Sequence, residues 1–162
     1  MQIRPATPTD VPAVLPMVTQ ICALHESWDA AKYGFLPNPA QRYDRWLRAQ
    51  ATSDRSIFLV AERESSDAPG KLVGFIIATI ETEIPIYRLK DYGFIHDLWV
   101  EPDYRRLGVG RQLVEQTLQA LAHQGIQQVR LDTAHANEAA RRLFQSCGFR
   151  ISTIELLAEI NP

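Results

Sequence analysis

The chain has 162 residues, 46% of them hydrophobic and 22% charged, with a formal net charge of −2 at pH 7. At roughly 100–200 residues per domain, this is the length of one domain over residues 1–162, enough to hold a core without a disulfide or metal staple. These values exclude a disordered chain, a collagen-like chain and a cysteine scaffold, and they give no electrostatic pull toward nucleic acid or an anionic membrane.

The elements follow in chain order. Gln2 to Ala6 reads as a short strand, and Thr9 and Asp10 then offer N-cap oxygens. Val11, Val14, Leu15, Val18, Ile21 and Cys22 recur on one helical face. Pro12 suits the first turn, whereas Pro16 should kink this helix or limit its first turns. Asn38-Pro39 starts a second helix whose apolar face is Tyr43, Trp46 and Leu47. Ser56 to Arg63 alternates, with Ile57, Leu59 and Ala61 on one face and Phe58 and Val60 on the other, which predicts a strand. Ser65 to Gly70 has the composition of a hairpin loop. Lys71 to Glu83 is a longer strand; its run Leu72 to Ile80 is far short of the ~20 apolar residues that cross a bilayer.

Pro85 to Gly93 is polar and irregular, and Phe94 to Val100 is a third strong strand. From Gly108 the period becomes helical, with Leu113, Val114, Leu118, Leu121 and Ala122 on one face and a stop at Gly125. Val129 to Asp132 is a strand, Asn137 to Cys147 a short helix capped by Asn137, and Phe149 to Ile160 a final strand. The order β-α-α-β-β-β-α-β-α-β favours antiparallel pairing in the middle and one parallel, right-handed β-α-β crossover. The expected fold is α/β, a mixed and mostly antiparallel sheet with helices on its faces.

Cys22 and Cys147 lie far apart, outside any CxxC pair, so they read as reduced thiols of a cytoplasmic protein and no metal site is expected. The opening MQIRPATPTD lacks the apolar stretch of a secretory signal.

The segment most informative about chemistry is Arg105-Arg106-Leu107-Gly108-Val109-Gly110-Arg111, between a strand and a helix. A glycine turn there lets backbone N–H groups converge at the positive end of the helix dipole, and three arginines add charge-assisted donors. Glycine content alone leaves open a phosphate cradle or a solvated turn. The dinucleotide pattern GxGxxG fails at Leu113, and GxxxxGK[ST] fails for want of a lysine after Gly110.

What remains is R-x-x-G-x-G. The run IHDLWVEPDYRRLGVGRQLV resembles the acetyl-CoA-binding motif of the GNAT acyltransferase family, [Q/R]-x-x-G-x-[G/A] after a hydrophobic strand. The segment NEAARRLFQSCGF from Asn137 resembles the family's N-x-x-A…L-[Y/F]-x-x-x-G-F, and IRPATPTDVPAVLPMV resembles its first strand and helix. The likeness covers nearly the whole chain. It implies a central sheet of six to seven strands with about four helices, the seventh strand being the missing piece. It also implies that the strand Phe94 to Val100 splays from the strand Gln128 to Thr133, with the pantetheine arm of acetyl-CoA in the gap.

In that arrangement the strand end Leu98, Trp99 and Val100 meets the arm, with backbone groups of Leu98 and Val100 on its amides and thioester carbonyl. The turn Arg105, Arg106, Leu107, Gly108, Val109, Gly110 and Arg111 holds the pyrophosphate. Asn137 and Phe144 line the far side. A donor on the thioester oxygen would stabilise charge that develops in the transition state.

Direct acyl transfer needs a neutral amine, hence a base. The resemblance points to His96 and Asp97, the pair standing where relatives carry acidic or histidine proton acceptors. Strand alternation, unless a bulge intervenes, puts His96 with Leu98 and Val100 and turns Asp97 away. Many relatives carry a tyrosine acid where this chain has Phe144; nearby Cys147 reads as packing, which leaves water, Tyr104 or another tyrosine as proton donor. The acceptor is expected against Trp28, Tyr33, Phe35, Tyr87 and Tyr92 with Glu26, Asp29, Glu81 and Glu83, walls that suit a cationic amine. The reading is an acetyl-CoA-dependent N-acetyltransferase acting on a primary amine of a small molecule or protein, without metal, nucleic acid or membrane. A homodimer is compatible with it, because the short C-terminus leaves a strand edge open. The rival is a catalytically silent acyl-CoA-binding module.

Overall fold

The computed structural model describes residues 1–63 and 70–160. Five strands form one sheet in chain order, β1 (Gln2–Pro5), β2 (Ser56–Arg63), β3 (Lys71–Thr82), β4 (Asp91–Val100) and β5 (Val129–Leu131). The first four pair antiparallel, and β4 pairs parallel with β5. Helices α1 (Val11–Trp28) and α2 (Pro39–Gln50) cover one face; α3 (Val109–His123) and α4 (Glu138–Ser146) cover the other. Among the described residues no helix is long and apolar enough to cross a membrane.

The alternation in β2 sorts its side chains as expected. Phe58 and Val60 join Val14, Val18, Leu47, Phe75 and Ile77 under α1 and α2, while Ile57, Leu59 and Ala61 join Val73, Ile76, Leu113 and Val114 under α3. Central β3 is buried on both faces, which is why its sequence is a continuous apolar run rather than an alternating one.

The helix starts differ in how they are held. Asn137 caps α4 as expected, its Oδ1 accepting the Ala140 N–H at 3.1 Å. Asp10 does not cap α1: its carboxylate accepts Arg4 at 2.9 Å and the Thr7 N–H at 2.7 Å, tying β1 to the helix start. The Arg4 guanidinium accordingly holds the Asp10 carboxyl down at about 2. Pro16 lies within α1, which runs on to Trp28.

Two expectations need correction. Among the described residues the sheet has five strands instead of six to seven, because Phe149 to Ile160 does not form a strand. A strand exists only beside a partner that takes its ladder bonds, and β5 offers an edge of three residues. Ile151, Ile154, Leu156 and Ile160 are instead left in solvent. The expected strand Gln128 to Thr133 likewise shortens to Val129–Leu131. The loop expected at Ser65 to Gly70 lies, apart from Gly70, outside the described residues.

Candidate active site

The site begins with a strand that loses its neighbour. On one side β4 is paired with β3 to its end, Val100 standing opposite Gly74. On the other, β5 pairs only with Gly93, Phe94 and Ile95. Beyond Ile95 that edge of β4 pairs with no strand among the described residues, which is compatible with the splay that the resemblance implies. The Glu101 N–H donates to Val73 of β3 at 2.8 Å, so alternation turns Trp99 toward β3 and the backbone groups of Leu98 and Val100 into the gap. The Val100 carbonyl is already occupied, accepting Arg105 Nε at 2.8 Å. The Trp99 side chain is buried under α1 and α2.

Just past β4, the turn into α3 places Arg106 at φ 61° and Gly108 at φ 83°. These left-handed residues bend the chain so that its amides face the helix end. The first α3 N–H with a backbone acceptor is Gln112, on the Gly108 carbonyl at 3.0 Å. The N–H groups of Val109, Gly110 and Arg111 therefore have no acceptor within the helix, and no side chain caps them. Orphan amides at the positive end of a 15-residue helix suit an anion. Leu107 is exposed on the same turn.

The three arginines divide. Arg105 is bound to Val100 and lies over the Trp99 ring at 4.6 Å; Arg111 is bound to the Ser146 carbonyl at 3.2 Å and to Glu115 at 3.5 Å. Arg106 is exposed. The two glycines divide as well. A Cβ on Gly108 would meet only Gln112 at 3.8 Å, so its need is conformational. A Cβ on Gly110 would meet Leu143 of α4 at 3.2 Å and Val100 at 3.7 Å, so the packing of α3 on α4 and β4 also calls for a glycine there. Asn137 spends its Oδ1 on the α4 cap, and Phe144 is buried against the Phe149 ring at 5.4 Å.

The placement of His96 corrects the expected parity. The β3–β4 register jumps: Ile77 faces Asp97 while Ala78 faces Ile95, so His96 is an extra, bulged residue. The bulge brings His96 and Asp97 to the same face, under α2, and away from the side chains of Leu98 and Val100. The His96 ring stands edge-on to Phe94 at 5.1 Å and to Trp46 of α2 at 5.2 Å. Its Nε2 lies 2.7 Å from Thr79 Oγ1 and 3.9 Å from Glu81 Oε1. Burial lowers its pKa, against the upward pull of Asp97 and Glu81, which favours the neutral ring. Its side chain keeps 28% of its exposure.

Asp97 is enclosed. It accepts the Tyr43 hydroxyl at 2.7 Å, and Tyr43 stacks on Trp46 at 4.7 Å. Burial raises the Asp97 pKa, with the Tyr43 hydrogen bond, His96 and His25 pulling it down. Burial and the Asp97 charge together push the Tyr43 and Cys22 pKa values up.

Sequence reasoning missed three participants. Tyr43 and Trp46 read only as an apolar helix face, and Thr79 as a strand residue. The available signal was that Thr79 is a hydroxyl in an otherwise apolar run. The expected acceptor wall is only partly assembled. His25 packs against Trp28 at 5.3 Å and Tyr33 at 4.8 Å, while Phe35 and Tyr87 are exposed. Tyr92 and Glu83 are taken by Arg130, at 3.9 Å from the ring and 2.5 Å from the carboxylate.

This geometry coincides with a match of residues 21–149 to the Acetyltransferase (GNAT) family. The chain belongs to that family. It is 32% identical to rat N-acetyltransferase family 8 member 3 over 146 residues, which are 85% of this chain and 59% of that protein. It is also 32% identical to the [ribosomal protein bS18]-alanine N-acetyltransferase of Escherichia coli K12 over 85 residues, 52% of each chain. The GNAT chain thus spans little more than half the length of these two relatives. Its fold superposes on a tetramutant of the BH1408 protein from Bacillus halodurans with TM-score 0.84 at 23% identity, covering 99% of this chain and 100% of that one.

Proposed function

We propose that this GNAT protein transfers an acetyl group from acetyl-CoA to a primary amine by direct attack, with His96 as general base. The observation that carries the reading is the open edge of β4, flanked by the uncapped start of α3 and by the His96 bulge. The residues present fit the donor: the orphan amides of Val109, Gly110 and Arg111 with Arg106 would take its pyrophosphate, and the Leu98 and Val100 N–H groups its arm and thioester carbonyl. Acetyl-CoA supplies an activated thioester whose thiolate leaves as the new C–N bond forms.

The residues of this chain do the rest. N–H donors at the thioester oxygen stabilise the charge that develops there. His96, neutral and partly open, takes the proton of the acceptor amine directly or through one water. Phe94 and Trp46, the latter backed by Tyr43, hold the ring and keep water off one side of it. A thiol pKa near 8.5 lets the thiolate depart without a strong acid, so the lack of a hydroxyl on Phe144 does not forbid turnover. The same Phe144 favours a second reading, an acyl-CoA-binding module without turnover.

An acceptor panel separates the two. Acetyl-CoA is offered with a polyamine, an aminoglycoside, free amino acids and a peptide with an N-terminal alanine, the last chosen from the name of the Escherichia coli relative. Free thiol release above the no-acceptor rate on at least one amine is the expected result. Tight CoA binding by calorimetry with no release on any amine would establish the silent module.

A further inference from the structure

The hydroxyl of Thr79 sits between two groups that both need it. It lies 2.5 Å from Glu81 Oε1 and 2.7 Å from His96 Nε2. An ionised carboxylate only accepts, and a hydroxyl carries one hydrogen. The Thr79 hydrogen therefore goes to Glu81, and Thr79 Oγ1 is left as an acceptor for the ring. That forces the hydrogen of neutral His96 onto Nε2 and leaves the lone pair on Nδ1, which has no partner among the described residues. Thr79 is 8% exposed, so water does not compete for its oxygen. The strand geometry builds the array: Thr79 and Glu81 are two residues apart on one face of β3, and the β4 bulge carries the His96 ring over them.

We propose that Thr79 and Glu81 are positioning residues that hold His96 as the Nε2–H tautomer and present Nδ1 as the basic atom. This rests on the assignment of His96 as base. The amine proton ends on Nδ1, Nε2 keeps its own, and no proton travels along the array. The resulting imidazolium donates from Nε2 to Thr79 Oγ1, and the Glu81 carboxylate, 3.9 Å from Nε2, stabilises its charge. The other ionisable groups that bear on the ring are Asp97 beside it on β4, with Tyr43 of α2 and His25 of α1 acting on Asp97. Trp46 and Phe94, the rings it packs against, carry no charge.

The test uses the full chain and two readouts, long-range ¹⁵N–¹H correlation of the imidazoles and kcat/KM against pH on the best amine of the panel. In the wild type the neutral His96 resonances should report a hydrogen on Nε2. Thr79→Val, close in shape but without the hydroxyl, should give a tautomer mixture and lower kcat/KM roughly tenfold. Thr79→Ser should restore the tautomer and most of the rate. Glu81→Gln should move the acid limb to lower pH, since the imidazolium loses its carboxylate.

In a His96→Ala background Thr79→Val should cost nothing further; an additive loss would mean that Thr79 acts elsewhere. A Thr79→Val protein with an unchanged Nε2–H tautomer and pH profile would overturn the positioning role. If His96→Ala alone keeps the wild-type rate, the base assignment fails, and the tautomer measurement still decides separately whether Thr79 sets the ring.

Discussion

The two layers on either side of the sheet each bury a threonine among the described residues, and the two threonines are used in opposite ways. Thr117, under α3, turns its hydroxyl back to the Leu113 carbonyl of its own helix at 2.8 Å. Thr79, under α2, connects a histidine to a carboxylate across two strands. The contrast extends to the whole of each face. On the α3 side the polar capacity is backbone: a bare helix start and an open strand edge, braced by Arg105 and Arg111. On the α2 side it is side chain: His96, Asp97, Tyr43 and Cys22, with their pKa values displaced by burial and by one another. Backbone donors suit a donor molecule that never changes. Side chains suit an acceptor to be deprotonated. The β4 bulge puts the His96 side chain on the second of these faces.

The sharpest break of this division is His96→Ala. Removing a positioned base should lower kcat/KM by ~10²–10⁴-fold while CoA affinity barely moves, because the donor is held from the other face. The acid limb of the wild-type profile should lie below pH 6.5, the ordinary histidine value, because burial disfavours the charged ring. A loss of CoA affinity as large as the loss of rate would merge the two faces into one function.

The converse change is Gly108→Val at φ 83°. A β-branched residue there is strained by about 1–3 kcal/mol, so the turn should swing its amides away from the α3 start. Calorimetry should read CoA binding at least tenfold weaker, with the His96 pH limb unchanged in the residual activity. Wild-type affinity in a folded variant would locate the pyrophosphate elsewhere.

How far the sequence carried depends on whether a feature was local. The two faces of β2 followed from alternation, the doubly covered β3 from its apolar run, and the α3 turn from its glycines. The bulge was not legible, since register is a property of two strands and β4 alone reads as unbroken alternation. The link from Thr79 to His96 spans 17 residues and exists only because of that bulge. The last strand failed for the same reason: pairing needs a partner edge, and β5 stops at Leu131.

Asp97→Asn should act on stability more than on rate. The Asp97 pKa is raised in the folded state, so the folded protein binds its proton more readily than the unfolded chain does. That group's contribution falls as pH climbs from its ordinary 3.8 to the raised value, then stays constant. Asparagine keeps an acceptor for Tyr43 without the buried charge. Its Tm at pH 7 should exceed the wild type's by a few degrees, at about 2–4 °C per kcal/mol for a chain of this size. The gain should vanish below about pH 3.8, where Asp97 is protonated in both states. Its rate should fall less than tenfold, through a lower His96 pKa. A hundredfold loss, with His96→Gln near wild type, would exchange the roles of the two residues.

The smallest effect belongs to Thr117→Val, the counterpart of the change at Thr79. The Leu113 carbonyl has the Thr117 N–H as its regular helix donor, so the hydroxyl at 2.8 Å is a second and dispensable one. A methyl in its place fills similar volume beside Leu113 and Val114, and no buried donor is stranded. The cost of a local hydrogen bond is about 0.5–1.5 kcal/mol before the gain from burying the methyl, so Tm should move by no more than a few degrees in either direction. The kcat/KM profile should overlay the wild type's across pH. Since Thr79→Val removes the same hydroxyl from another buried site, a difference in rate between the two variants measures what the α2 face does with a threonine that the α3 face does not. Equal rates in the two would leave the faces chemically alike and return the asymmetry to packing alone.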